Sequence, residues 1–221
     1  MRRTRRIGVI GQKGGTGKTP TASNIAVLAA AHGWKPVILD VDPDQASATN
    51  WGSRRGDRRP LVEVIPCLPA RLKHTLAAVP EQGFDLVIVD TPGRQSTIST
   101  EAVSGPDVKD PAKGCADLVI VPCRPILADT DTLPIVKRMI GLAGNPPAFV
   151  VITVAPTQGD RHKTTIELAQ EHGFQVAPVV LFNRAAYGDG YNIGLSPTEL
   201  EPKGKAAQEL EALYTYISKF L

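Results

Sequence analysis

The stretch Ile7-Gly8-Val9-Ile10-Gly11-Gln12-Lys13-Gly14-Gly15-Thr16-Gly17-Lys18-Thr19 decides how this chain folds. An apolar run, Ile7–Ile10, ends in a glycine-rich turn, and a helix-like segment follows at once. Gly14, Gly15 and Gly17 let backbone N–H groups curl round an anion. Lys18 has the reach to meet β- and γ-phosphates, and the Thr19 hydroxyl suits a Mg2+ ligand. The next helix turns its N-terminal N–H groups and its dipole toward the same phosphates. Strand, glycines, lysines and helix together predict a nucleotide phosphate site built from Gly14, Gly15, Thr16, Gly17, Lys18 and Thr19.

Outward from that loop, short apolar runs alternate with helix-like stretches, the pattern of βαβ units and a parallel sheet. The runs are Ile7–Ile10, Val37–Leu39, Leu61–Ile65, Leu86–Val89, Leu118–Val121, Phe149–Val154 and Val176–Phe182. Most are continuous rather than alternating, as expected of strands covered on both faces. Thr19–His32 is apolar nearly all round and stops at Gly33, which predicts a buried helix with a glycine cap. Gln45–Trp51, Arg71–Ala78, Thr130–Leu142, Thr164–His172 and Lys205–Leu221 read as further helices. Two stretches, Ser104–Lys113 and Arg184–Lys203, read as long loops rich in Gly and Pro. A length of 221 residues fits one domain, 1–221.

No apolar run approaches the ~20 residues that span a bilayer, and no signal-peptide pattern is present. Cys67, Cys115 and Cys123 are an odd set without Cys-x-x-Cys spacing and read as reduced cytosolic thiols. The four histidines are scattered and offer no metal cluster. Net charge is only +3, so any basic character is local. Arg54, Arg55, Arg58 and Arg59 crowd one short stretch, and Arg2, Arg3, Arg5 and Arg6 crowd the N-terminus. Such patches can neutralise nucleic-acid phosphates or serve as solubilising surface.

Two further strand ends carry acids. Val37–Leu39 runs into Asp40-Val41-Asp42-Pro43, placing two carboxylates toward the phosphate face or at the cap of the next helix. Leu86–Val89 ends in Asp90, the Walker B pattern, where a carboxylate holds water on Mg2+. Thr91-Pro92-Gly93 follows, giving the Asp-x-x-Gly arrangement in which a glycine N–H can sense a γ-phosphate. The guanine-reading Asn-Lys-x-Asp tetrapeptide is absent, which favours ATP.

The loop departs from Gly-x-x-x-x-Gly-Lys-[Ser/Thr] at Gln12 and adds Lys13. In this it resembles the deviant Walker A motif of the ParA/MinD ATPases, a branch of the P-loop NTPases, closest to short plasmid-partition members without an N-terminal helix-turn-helix domain. Asp40-Val41-Asp42-Pro43 with Asn50-Trp51, and Leu118–Pro122 with Pro125 and Asp129, also resemble that family. The resemblance implies a three-layer α/β sandwich, a mostly parallel twisted sheet with helices on both faces. It implies an Mg2+-dependent ATPase in which Lys13 reaches the nucleotide of a partner subunit, Asp42 orients the attacking water and Asp40 supports Mg2+ beside Thr19 and Asp90. It places adenine recognition near Asn183 and Arg184, with Arg184 also a candidate for DNA contact beside Arg54, Arg55, Arg58 and Arg59. It further implies an ATP-driven homodimer, non-specific DNA binding, a ParB-like protein that stimulates hydrolysis, and a cytoplasmic, nucleoid-associated location. The expected task is partition of a plasmid or chromosome, or positioning of another cargo. A MinD-like membrane-cycling ATPase and an accessory ATPase of conjugative transfer are the alternatives, and no stable membrane association is expected.

Two positions break the family pattern, Asp44 where the family usually has Gln after the proline, and Pro20 in the phosphate loop. Gly-Lys-Thr-Thr is replaced by Gly17-Lys18-Thr19-Pro20, and proline has no N–H to offer an α-phosphate. Proline is tolerated in the first turn of a helix, so the expected consequence is weaker nucleotide binding with the fold intact.

Overall fold

The computed structural model describes residues 3–93 and 116–221. Arg2, Cys115 and the Ser104–Lys113 stretch lie outside the described residues. The strands are β1 (Arg5–Val9), β2 (Pro36–Asp40), β3 (Glu63–Pro66), β4 (Leu86–Asp90), β5 (Leu118–Cys123), β6 (Ala148–Ala155) and β7 (Gln175–Phe182). They form one sheet in the order β3-β2-β4-β1-β5-β6-β7, and every pairing is parallel.

Alternate residues of each central strand feed two different cores, because successive side chains leave a strand on opposite faces. On one face Ile7, Ile38, Ile88, Ile120 and Val151 pack against α1 (Lys18–Ala31) and α9 (Lys205–Ile217). On the other, Val37, Leu39, Val87 and Val89 meet α3 (Leu72–Ala78). Val119, Val121, Val150 and Ile152 on that face meet α5 (Leu133–Leu142) and α6 (Arg161–Glu171). Each buried branched side chain contributes about 1.5–3 kcal/mol. Continuous apolar strands are therefore the direct result of a sheet sandwiched between helical layers.

The all-round apolar character of α1 has the same origin, since the sheet lies on one side of it and α9 on the other. It ends in a Schellman turn: Gly33, at φ 84°, donates to Ala30 O and Trp34 donates to Ala29 O. The expected helix Gln45–Trp51 is α2 (Ser47–Arg55). Thr130–Leu142 is broken into α4 (Leu127–Thr130) and α5, with Pro134 in the first turn of the second piece. The stretch Arg184–Lys203, expected to be loop, holds α7 (Ala185–Asn192) and α8 (Pro197–Leu200). Glycines at 188 and 190 hid the first. The second is announced by Ser196, Pro197 and Glu199, a capping box with proline at the helix start.

Sheet order and register assemble the site. β2, β4 and β1 are neighbours, and Asp40 pairs with Asp90 while Asp90 pairs with Val9. The two acids and the start of the glycine turn thus share the carboxyl edge of the sheet, where α/β proteins bind ligands.

Candidate nucleotide and metal site

A cleft of about 350 Å3 opens at this edge, lined by Gly14, Lys18, Thr19, Asp42, Asp90 and Tyr187 among others. Lys18 is buried at 7% exposure, and its Nζ donates to Lys13 O at 2.8 Å. Burial lowers its pKa, opposed by the carboxylates of Asp90, Asp42 and Asp129. Lys13 is the opposite case: its side chain is exposed, with no hydrogen bond or ion pair among the described residues. The loop itself is pinned from β6, where Thr153 Oγ1 donates to Thr16 O at 2.7 Å.

Thr19 Oγ1 donates to Asp90 Oδ2 at 2.6 Å, so the two residues expected at the metal stand side by side. Burial pushes the Asp90 carboxyl up to about 7, the Thr19 hydrogen bond opposing the rise. Its other oxygen, Oδ1, is buried and has no hydrogen-bond partner among the described residues. An orphaned carboxylate oxygen of this kind is costly, and a hydrated Mg2+ would satisfy it, so these residues fit the metal. No group of three or more His, Cys, Asp or Glu among the described residues could hold a metal by side chains alone.

Asp40, expected to support Mg2+, lines the cleft, but both its oxygens are already engaged, one by α2 and one by the backbone before it. Oδ2 accepts from the Thr49 N–H and hydroxyl, each at 2.8 Å, and Oδ1 accepts from the Asp42 N–H at 3.2 Å. It acts as a helix cap delivered from a neighbouring strand. Asp42 is half-buried at the cleft wall, and its Oδ1 accepts only a long bond, 3.3 Å, from Gln45 N.

Beside the cleft lies a smaller apolar pocket of about 80 Å3, lined by Pro20, Asn24, Val154, Asn183 and Tyr187. Val154 sits there at φ 52°, a conformation that a β-branched residue rarely adopts, where the β6–β7 register shifts. Asn183 therefore stands where a base edge could be read. Arg184 does not: its Nε and Nη2 donate to Glu209 Oε1, and its guanidinium lies 5.3 Å from the Phe182 ring centre. That pairing leaves Nη1 of Arg184, on a side chain 23% exposed, as its one nitrogen without a partner among the described residues.

The arginine stretch needs a second correction. Arg55 is 1% exposed. It forms a two-pronged ion pair with Glu199, both contacts 2.8 Å, and donates to Gly194 O and Pro60 O. Gly194 lies so close that a Cβ there would meet Arg55 N at 2.3 Å. Arg55 locks α2 to the turn before α8 and is unavailable to a phosphate backbone. Arg54, Arg58 and Arg59 are exposed, and Arg54 stacks 4.7 Å from the Tyr191 ring centre.

Sequence reading passed over Thr153, Tyr187 and Tyr191. Thr153 had a signal, a hydroxyl inside the apolar run Phe149–Val154. The tyrosines had none, because they lie in the stretch expected to be loop. Cys67 and Cys123 are buried free thiols. Burial pushes the Cys123 thiol up to about 12, which keeps it protonated and inert.

Known proteins share this family and fold. Residues 7–189 match the profile of the CobQ/CobB/MinD/ParA nucleotide binding domain. The chain is 28% identical to the maintenance of carboxysome distribution protein A of Gloeobacter kilaueensis over 216 residues, 97% of this chain and 93% of that one. It is 31% identical to the chromosome-partitioning ATPase Soj of Thermus thermophilus over 129 residues, 46% of this chain and 51% of Soj. Among solved structures, the septum site-determining protein MinD of Pyrococcus horikoshii with Mg-ADP superposes with a TM-score of 0.76 at 16% identity, covering 98% of this chain and 96% of that one. A Cyanothece McdA variant in complex with ATP gives 0.75 at 16% identity, covering 100% and 97%.

Proposed function

Because the chain belongs to the CobQ/CobB/MinD/ParA nucleotide-binding family and is an Mg2+-dependent ATPase of that family, we propose that it dimerises on binding ATP and uses hydrolysis to position or partition a cargo. The observation that carries this reading is the contrast between the two lysines of the loop. Lys18 is buried in the phosphate cradle, whereas Lys13 stands exposed on its rim with nothing described to hold it. A second subunit presenting its nucleotide at that rim would give Lys13 its anion.

Within one subunit the roles divide by position. Lys18 meets the β- and γ-phosphates, and its burial strengthens that contact by excluding water. Thr19 and Asp90 would hold Mg2+, which would supply charge neutralisation to the phosphates during transfer. Asp42, at the cleft wall without a strong partner, orients the attacking water. Asn183 and the apolar walls of the small pocket receive the adenine.

The exposed arginines Arg54, Arg58 and Arg59 support non-specific DNA binding as the track for that cycle, with affinity falling steeply as salt rises. A membrane track is less well supported. No helix among the described residues is long and apolar enough to cross a bilayer, and α9 spends Ala206, Leu210, Leu213 and Ile217 on the core. A partner protein that stimulates hydrolysis and a cytoplasmic, nucleoid-associated location complete the reading, within one domain spanning 1–221.

Size-exclusion chromatography tests it. With ATP and Mg2+ the native chain should elute as a dimer and Lys13→Ala as a monomer that still binds nucleotide. A native chain that stays monomeric at saturating ATP defeats the proposal.

A further inference from the structure

Arg124, directly after β5, enters none of the roles above, yet it is one of the most tightly held cations near the cleft. Its Nε and its backbone N–H donate to Asp129 Oδ2 at 2.9 and 3.1 Å, and its Nη2 donates to Oδ1 at 2.9 Å. Asp129 is 2% exposed, so the carboxylate that grips the guanidinium is fixed in the interior. The fork uses two of the three side-chain nitrogens. The third, Nη1, has no partner among the described residues and faces the phosphate loop: a Cβ built on Gly15 would meet it at 3.3 Å. The side chain keeps 28% of its surface exposed, enough to meet an anion arriving from solvent.

The end of the loop that Nη1 faces is informative. Gly93, the glycine of the Asp-x-x-Gly segment, packs on Gly14, with a hypothetical Cβ at 2.8 Å from its backbone. Pro20, whose missing N–H concerns the α-phosphate, lies at the other end of the turn. Arg124 at Gly15 and Gly93 at Gly14 therefore both approach the end of the turn opposite Pro20, Gly93 lining the cleft and Arg124 standing just outside its lining. Arg124 also lowers, and Asp129 raises, the basicity of Lys18, which puts the pair within the field of the phosphate site.

We propose that Arg124 is a phosphate-contacting residue of this site, its Nη1 donating to the γ-phosphate of ATP, and that Asp129 is the positioning residue that aims it. A planar guanidinium gripped by a carboxylate is pre-organised, so little freedom is lost when the third nitrogen meets its anion. The rival reading is a brace that only stiffens the loop. A brace serves ATP and ADP alike, whereas a γ-phosphate contact counts for ATP alone. The proposal rests on the loop being an ATP site.

The test compares affinities of the full chain for a non-hydrolysable ATP analogue and for ADP, both with Mg2+, by calorimetry. Arg124→Gln should weaken the analogue about tenfold, the scale of a charge-assisted hydrogen bond, and ADP by less than about twofold. Asp129→Asn should show the same selective loss in smaller degree, and Arg124→Lys should fall between native and Arg124→Gln. Ligand-free melting temperatures of the three variants guard against simple unfolding. Equal losses for both nucleotides, or an unchanged analogue affinity, overturn the proposal. A native chain that binds neither nucleotide instead removes the ATP site on which it stands.

Discussion

Pro20 stands at the third residue of α1 and borders both the cleft and the small pocket. Restoring an N–H there with Pro20→Thr offers the α-phosphate a charge-assisted hydrogen bond of about 1.5–3 kcal/mol. The same change removes a little apolar wall, about 0.8 kcal/mol per lost CH2 contact. The polar gain outweighs the apolar loss, so the variant should bind ATP roughly tenfold more tightly. Equilibrium titration of both proteins checks it, and equal dissociation constants count against the argument. At this scale the sequence was most legible where chemistry is local. Lys18, Thr19 and Asp90 follow from a loop and a strand end and meet where the strand register puts them. Arg55 was illegible, because its fate is set by Glu199, 144 positions away, and by the close approach of Gly194.

The second helix shows how one element can serve two ends. Its first turn is capped by Asp40 from the sheet edge, and its last turn is locked by Arg55. Exposed Arg54, Arg58 and Arg59 stand around that lock. Arg55→Ala should remove a fully buried side chain that ties α2 to Gly194, Pro60 and half-buried Glu199, which keeps only the Ser196 N–H, and cost about 3 kcal/mol in denaturant unfolding. Arg58→Ala with Arg59→Ala should cost about 1 kcal/mol of stability, because Arg58 Nη1 donates to Arg54 O and Arg55 O at the end of α2, and should lower both DNA affinity and its salt dependence. A double variant with native DNA binding would remove this face from the proposed interface. The strands and α1 were readable because apolar runs bounded by glycine and proline have few alternatives. The helices after Arg184 were not, since glycines at 188 and 190 weaken local propensity and only packing beside α2 restores order. The capping box at Ser196 was present in the sequence and unread.

For the whole molecule, the parallel sheet brings loop, acids and tyrosines from distant segments to one edge, so ligand binding should stabilise the entire fold. At ATP a hundredfold above its dissociation constant, with Mg2+, the gain is about 2.7 kcal/mol. For a chain of this size that corresponds to a rise of roughly 5–10 °C in melting temperature. Asp90→Asn should lose the Mg2+-dependent share of the rise, which a thermal scan with and without chelator measures; an unchanged Mg2+ response would take Asp90 out of the metal site.

The seam between Gly93 and Gly14 carries one more implication. Two backbones separated by little more than their hydrogens behave like meshed gear teeth: neither turns unless the other gives way. A single added methyl at position 93 would push into the backbone of the glycine turn and force one of the two segments to shift.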